Sequence, residues 1–361
     1  MSLNFYPAHN KQADKTRGSL AESLSKSTIS YESVTNASKA YIPQINQVLA
    51  ACKVQPDAAR LDERLHFEWK SGVETSKLAT TFKSEALMYE LVMTVACEAL
   101  GTAGMGCDSS VAGEFTSAGK HFKGAAGIWQ YLGQDLLPKW ISRGSSVDQK
   151  ELPVEATPGV ADALTILYLA CAQQMIVSTA LAKNSKPSYS LMAKLTLGIA
   201  EQIDDAVKLF RTKAGEQMQR IDATFFTLLA FQAQYQRALS SYFLARAAWD
   251  EREYGVAIAL LHEATVALRT RDSSTGNGLP DVESKASPLR VLGKDLTVVR
   301  IHMNTVLQSW EKDNSTVYFD KVPQKIPQNK KLQNGMKMIK EPDLYSVADA
   351  EAMPLSMVQL W

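Results

Sequence analysis

Few residues in this sequence have the type and spacing to do chemistry. The histidines are His9, His66, His121, His262 and His302. None forms an HExxH or HxH pair, the spacings that bring two imidazoles onto one metal ion. The cysteines are Cys52, Cys97, Cys107 and Cys171, with no CxxC pair and no histidine at ligand spacing. No GxSxG elbow presents a serine nucleophile, and no GxxxxGK[ST] loop offers backbone amides to a phosphate. Gly101, Gly104 and Gly106 give the order GxxGxG after a helix, whereas a dinucleotide site needs a strand, then GxGxxG, then a helix. The carboxylate pairs Asp204–Asp205 and Glu251–Glu253 fall on helix or turn surfaces, where solvated charge is the ordinary state. The expectation is a non-enzyme without catalytic residues, cofactor or metal. An enzyme or small-molecule binder with an unrecognised site stays open, and a deep polar pocket with converging titratable groups would support it.

Composition is compatible with that reading. The chain has 361 residues, 45 % apolar and 21 % charged, enough to bury a sizeable core as one or two domains. Its 39 Lys and Arg balance 38 Asp and Glu, a formal charge of +1, so no global field draws it to nucleic acid or anionic lipid. The clearest local run is Lys321, Lys325, Lys330, Lys331, Lys337 and Lys340. It reads as a solvated face, or as a transient contact for acidic headgroups or an acidic partner. The start lacks the apolar core of a signal peptide. The uncharged stretch from Ala163 to Ala182 carries Thr165, Gln173, Gln174, Ser178 and Thr179, and suits a buried helix better than a membrane span. Ser2 and the final SMVQLW offer no myristoylation or prenylation signal, so cytosolic residence is expected. Cys52, Cys97 and Cys171 sit among apolar neighbours as buried thiols, and Cys107 is expected to be exposed.

Most of the chain repeats at helical spacing. Residues 1–28 are polar and read as loosely held. A helix follows over about 29–53, and LHFEWK alternates Leu65, Phe67 and Trp69 with polar residues, as a half-buried strand does. The next helix is expected to start at Ser84 and stop at Gly101. Further helices are expected over about 111–132, 160–182, 190–211, 218–250, 254–270 and 288–313. Loops are expected over 142–159 and from Arg271 to Pro288. TVYFDKVP is β-prone, and the segment to Trp361 reads as an extended tail lying on the body through Leu344, Leu355, Val358 and Trp361. Tyr254, Ala257, Leu261 and Ala264, with Leu244 and Ala245 before them, have the small-and-large spacing of a tetratricopeptide-like hairpin. That pattern suggests a helical solenoid presenting a groove to a partner peptide.

EKDNSTVYFDKVP (Glu311 to Pro323) resembles the signature near the end of the Bro domain, a module of the ESCRT machinery. LHFEWKSG, AGKHFKGAAGIWQYL and ACAQQMIVSTALAKNSKPSYSLMAKLT resemble other segments of that family in the same order. GQDLLPKW and PLSMVQLW look nearest to its Brox-like, single-domain members. The resemblance covers about 29–325 as the Bro domain, with 1–28 as a loose N-terminal segment and 326–361 as an extended C-terminal tail.

The resemblance implies a mainly α, curved helical solenoid with a small antiparallel sheet near the N-terminus. It implies an adaptor without catalysis. Such an adaptor binds the C-terminal amphipathic helix of a Snf/CHMP-type ESCRT-III subunit, in endosomal sorting, multivesicular body formation or membrane scission. The chain would then be a monomer, cytoplasmic and peripheral to endosomal membranes, reaching them through its partner and binding no nucleic acid. By position, the partner-helix patch falls on Ile176, Leu191 and Leu195, with Lys120 as a polar neighbour. A second basic position of the family falls on Thr116, which removes one salt bridge. Tyr318 matches a tyrosine that the family can present for modification or a second contact, although a packed strand aromatic is the simpler reading. A Bro-domain scaffold of another pathway, such as ambient-pH signalling, reading a different peptide, is the alternative.

Overall fold

The computed structural model describes residues 7–54, 66–74, 81–142, 152–183, 186–270 and 278–348. The chain divides into two compact units. The first takes the chain up to Tyr168, then Leu209–Ile221 and the chain from Glu341 onward; the second takes Leu169–Lys208 and Asp222–Lys340.

The first unit begins with α1 (Pro7–Ser25) and α2 (Tyr31–Val54). Of the segment 1–28 expected to be loose, Pro7–Ser25 is helix α1, and residues 1–6 lie outside the described residues. The helix has few apolar residues, but Ala13, Thr16, Leu20 and Ser23 recur at three- and four-residue spacing and are all buried. Strands β1 (Phe67–Trp69) and β2 (Phe82–Ser84) follow and pair antiparallel, with Trp69 opposite Phe82 and Glu68 opposite Lys83. Phe67 and Phe82 are buried, while Glu68 and Lys83 form an ion pair at 2.7 Å on the open face. The alternation read in LHFEWK is therefore real over Phe67–Trp69; Leu65 lies outside the described residues.

Helix α3 (Leu87–Val111) is the axis of this unit. It passes through Gly101 without stopping, and the GTAGMG segment lies inside the helix. Those glycines serve contact instead of a turn. A Cβ on Gly101 would lie 2.5 Å from Thr35 Oγ1, and one on Gly104 would lie 2.2 Å from the Tyr31 ring. Helix α2 thus crosses α3 at backbone distance, and the helix cost of glycine is offset by that contact. Glu90 of α3 is fully buried and collects three donors: Trp69 Nε1 at 2.6 Å, Arg17 Nε at 2.8 Å and Tyr41 Oη at 3.1 Å. One carboxylate thereby ties α1, α2 and β1 to α3, and a buried charge so supplied is tolerated. Burial and that carboxylate push the Tyr41 phenol well above its ordinary pKa.

Helix α4 (Phe115–Tyr131) runs into a π turn (Leu132–Leu136) and α5 (Leu137–Ile141). Helix α6 (Pro158–Ala182) begins in the first unit and ends in the second, and α7 (Tyr189–Lys213) passes back. Among the described residues α6 is the one helix long and apolar enough to cross a membrane, and 67 % of its most apolar window is buried in the molecule.

In the second unit, Asp222 caps α8 (Ala223–Asp250) by accepting from Thr224 N at 2.8 Å. A tight turn leads to α9 (Tyr254–Ala267). Ala245, Ala257, Leu261 and Ala264 are fully buried, so the small-residue spacing marks the α8–α9 hairpin contact. Helix α10 (Val291–Asp313) packs on α9.

The β-prone reading of TVYFDKVP is corrected. Asn314–Tyr318 extends α10 as a π turn, and Phe319 closes it with φ at +56°. β-propensity measures fit to a neighbouring strand, and none is present here among the described residues. Instead Asn314 Nδ2 donates to Asp320 O, and Asp320 N donates to Asn314 Oδ1, both at 2.9 Å. Asp320 Oδ2 accepts from Gly255 N at 2.8 Å, which fixes this turn to the start of α9.

The tail is extended, as expected, but its anchors differ. Leu344 is 102 % exposed, and Leu355, Val358 and Trp361 lie outside the described residues. In the second unit it is held at 330–339, and in the first by Lys123–Asp343 at 2.8 Å and by Tyr345. Residues 143–151 and 271–277, where loops were expected, lie outside the described residues.

Candidate partner-binding surface

The residues expected to meet a partner helix divide by burial. Ile176 on α6 and Leu191 on α7 are half-buried, leaving apolar surface toward solvent. Leu195 is only 1 % exposed, which corrects its reading as a surface anchor. The physical reason lies one residue along the hairpin. Gln173 of α6, itself fully buried, donates Nε2 to Leu195 O at 2.8 Å, so this level of the α6–α7 pair faces inward. Leu191 stands one helical turn nearer the link and Ile176 one turn past Gln173, which places both at the next level of the same antiparallel pair.

Lys120 and Thr116 are exposed on α4, in the first unit, while Ile176, Leu191 and Leu195 belong to the second. Lys194, next to the buried Leu195, is exposed.

Tyr318 is not a strand residue. It is 42 % exposed and stacks on Tyr254 with centroids 3.7 Å apart, edge-on to Trp249 at 5.8 Å. Trp249 in turn stacks on Trp310 at 4.3 Å. The four rings tie the α8–α9 turn to the end of α10. The phenol of Tyr318 is pushed above its ordinary range, chiefly by Tyr254.

Half of the lysine run is already engaged. Lys330 pairs with Glu253, Lys331 with Glu263 at 2.7 Å, and Lys337 with Asp205 at 2.6 Å. These lysines hold the tail on α7 and α9, so among the described residues the basic face read from the sequence shrinks to the exposed Lys321, Lys325 and Lys340.

Sequence reasoning missed Gln173. Its signal was present as a polar interruption in an apolar helix, but nothing in spacing says what a buried amide will bond. Gln173 Nε2 also donates to Met336 O at 2.8 Å, and its Oε1 accepts from Met338 N at 2.7 Å.

The histidines lie scattered. His66 meets Glu68 at 3.0 Å, His262 meets Glu311 at 2.9 Å, and His302 meets Tyr242 at 3.0 Å. Among the described residues no three His, Cys, Asp or Glu side chains converge as a metal site would require. An open hollow of about 540 Å³ at the start of α10, lined by Glu283, Arg290 and Lys294, is broad and unenclosed. Cys97 is buried and its thiol is pushed up to about 11, while Cys107 is exposed as expected.

A sequence model described as "BRO1-like domain" matches residues 5–356. Among curated proteins, the vacuolar protein-sorting protein bro1 of Schizosaccharomyces pombe is 28 % identical over 166 residues, 44 % of this chain and 21 % of that protein. The aligned region is thus about a fifth of that relative's length. Among solved structures, one titled "ALIX BRO1 CHMP4C complex" matches with TM-score 0.62 and 17 % identity, over 98 % of this chain and 87 % of that one. ALIX in complex with the SIVmac239 PYKEVTEDL late domain matches with TM-score 0.69 and 18 % identity, over 97 % of this chain and 44 % of that one. A third, "Structure basis for endosomal targeting by the Bro1 domain", matches with TM-score 0.67 and 14 % identity, over 94 % of this chain and 83 % of that one. At these identities the structural likeness establishes the fold.

Proposed function

Because the chain belongs to the BRO1-like domain family, we propose that it is an ESCRT adaptor. In this reading it takes the C-terminal amphipathic helix of a Snf/CHMP-type ESCRT-III subunit on the α6–α7 hairpin of its second unit. One observation carries the reading. Ile176 and Leu191 are large, apolar and incompletely covered at one level of that hairpin, directly beside a level that Gln173 closes. Helix-in-groove recognition needs a few such anchors, and they supply most of the affinity. The solved ALIX BRO1 complex with CHMP4C gives the reading its partner class. Lys120, on α4 of the first unit, is offered separately as a contact for an acidic side chain, and Tyr318 as a modification site or second contact. The protein would act as a cytoplasmic monomer, peripheral to endosomal membranes, in sorting or scission.

Titration of a fluorescent C-terminal helix peptide of a CHMP4-type subunit tests this. The parent protein should bind saturably, and Leu191→Asp should lose at least tenfold in affinity while keeping its far-UV circular dichroism. No binding by the parent would end the reading. Undiminished binding by a folded Leu191→Asp variant would move the site elsewhere.

A further inference from the structure

The tail segment Gly335–Lys340 is held by α6 and α7 in a way that reads its backbone and almost none of its side chains. Gln173 Nε2 donates to Met336 O at 2.8 Å, and its Oε1 accepts from Met338 N at 2.7 Å. Met336 N donates to Lys194 O at 2.7 Å, and Gly335 N donates to Glu201 Oε1 at 2.9 Å. Gln202 Nε2 reaches Ile339 O at 3.3 Å. Sequence enters at two points only. A Cβ on Gly335 would lie 2.1 Å from Gly198 N, and one on Gly198 would lie 2.3 Å from Met336 O, so the register requires glycine opposite glycine. Two residues on, Lys337 pairs with Asp205 at 2.6 Å.

The resident segment fills this site incompletely. Met336 is 41 % and Met338 56 % exposed, so their side chains add little burial. The Lys337–Asp205 pair is partly exposed on both sides and therefore screened by salt. Gln202 is 3 % exposed, yet its Oε1 has no hydrogen-bond partner among the described residues. Few apolar contacts and a backbone held by a handful of side-chain bonds are the marks of a segment that opens locally.

From this we infer that the α6–α7 groove around Gln173 is a binding site for extended peptides in trans, and that the chain's own Gly335–Lys340 is an exchangeable occupant. The ligand class is a basic, extended peptide from a partner protein. It carries glycine at the Gly198 crossing and a lysine or arginine two residues later, with Glu201 and Asp205 supplying the complementary charge. Main-chain hydrogen bonds would give affinity, and the glycine and the cation specificity. This site lies about one helical turn along the same hairpin from Ile176 and Leu191, and its hydrogen bonds use neither residue.

The test keeps the whole chain. A protease recognition sequence is inserted between the exposed Gln333 and Asn334, the purified protein is cut, and a fluorescent peptide of sequence NGMKMIK is titrated in. Cutting should raise peptide uptake at least tenfold over the uncut chain, and raising the salt should weaken it. The peptide variants Gly335→Val and Lys337→Glu probe the site without altering the protein, and each should lose at least fivefold. Gln173→Leu should abolish uptake in a protein that remains folded by circular dichroism. Equal uptake of the Gly335→Val peptide, no uptake after cutting, or the appearance of strap-exchanged dimers without peptide uptake would each overturn the proposal.

Discussion

The hydroxyl of Tyr345 donates to Glu98 Oε2 at 2.6 Å. Glu98 is 1 % exposed on α3, so a residue of the extended tail supplies the donor for a carboxylate inside the first unit. Tyr345 also meets Tyr131 edge-on at 5.4 Å. Tyr345→Phe keeps the ring and removes the donor. It should cost about 1–3 kcal/mol, the penalty for a buried acceptor left without its partner. Urea denaturation of the two proteins measures the difference.

The same carboxylate sets a pH dependence. Burial raises the Glu98 pKa above the ordinary carboxylate value, more than the Tyr345 hydrogen bond and Lys39 lower it. The folded state therefore holds this proton to higher pH than the unfolded chain does. Its contribution is full below the unfolded value and is lost as pH rises through the folded one. Glu98→Gln still accepts from Tyr345 but cannot ionise. Its stability should gain on the parent above that window, with the two curves converging at low pH.

Glu90, also buried, accepts from three donors instead of one. Glu90→Leu would strand Arg17, Tyr41 and Trp69 without their acceptor. The expected loss is about 3–5 kcal/mol, the cost of breaking a buried pair. A thermal melt followed by near-UV circular dichroism reads it, since two of the three donors are aromatic.

Leu191 and Leu195 should separate cleanly. Leu195→Asp places a charge at a buried position and should destabilise the fold by more than about 3 kcal/mol, seen as a lowered melting temperature. Leu191→Asp, at a half-buried position, should melt close to the parent while losing the partner peptide. The reverse pattern would show that the hairpin faces the other way.

Gly104→Leu should also fail, because its first added atom already falls 2.2 Å from the Tyr31 ring. Over-filling a tight contact costs about 1–3 kcal/mol, and denaturant midpoints would report it.

These particulars show what the sequence could reveal. Period two over Phe67–Trp69 and the alanine spacing of α8–α9 were legible because each pattern follows from one element meeting one neighbour. The helical content follows the same logic, whereas the sheet came only from the family resemblance, and Ser84, expected to start a helix, ends its second strand. Misreadings came where a distant partner decided. Gly101 looks like a stop unless Thr35 is known to lie against it. TVYFDKVP looks like a strand until Gly255, 65 residues earlier, is known to hold Asp320 in a turn. Helix α1 looks too polar to order until Arg17 finds Glu90, 73 residues away. Leu195 and Leu191 share one helix face by spacing, yet only one is covered, and spacing carries no information about depth. Gln173 shows this most clearly, since each of its partners lies on another segment.

The tie between Tyr345 and Glu98 also has a consequence in time. The two residues are 247 positions apart. At typical translation rates the ribosome needs roughly 10–50 s to add the second after the first. Throughout that interval α3 exists with its buried acid lacking a donor, and long-range closure comes late. Helix α3 and its neighbours must therefore wait, partly assembled, for a segment made much later, and that waiting form is the one a chaperone would meet.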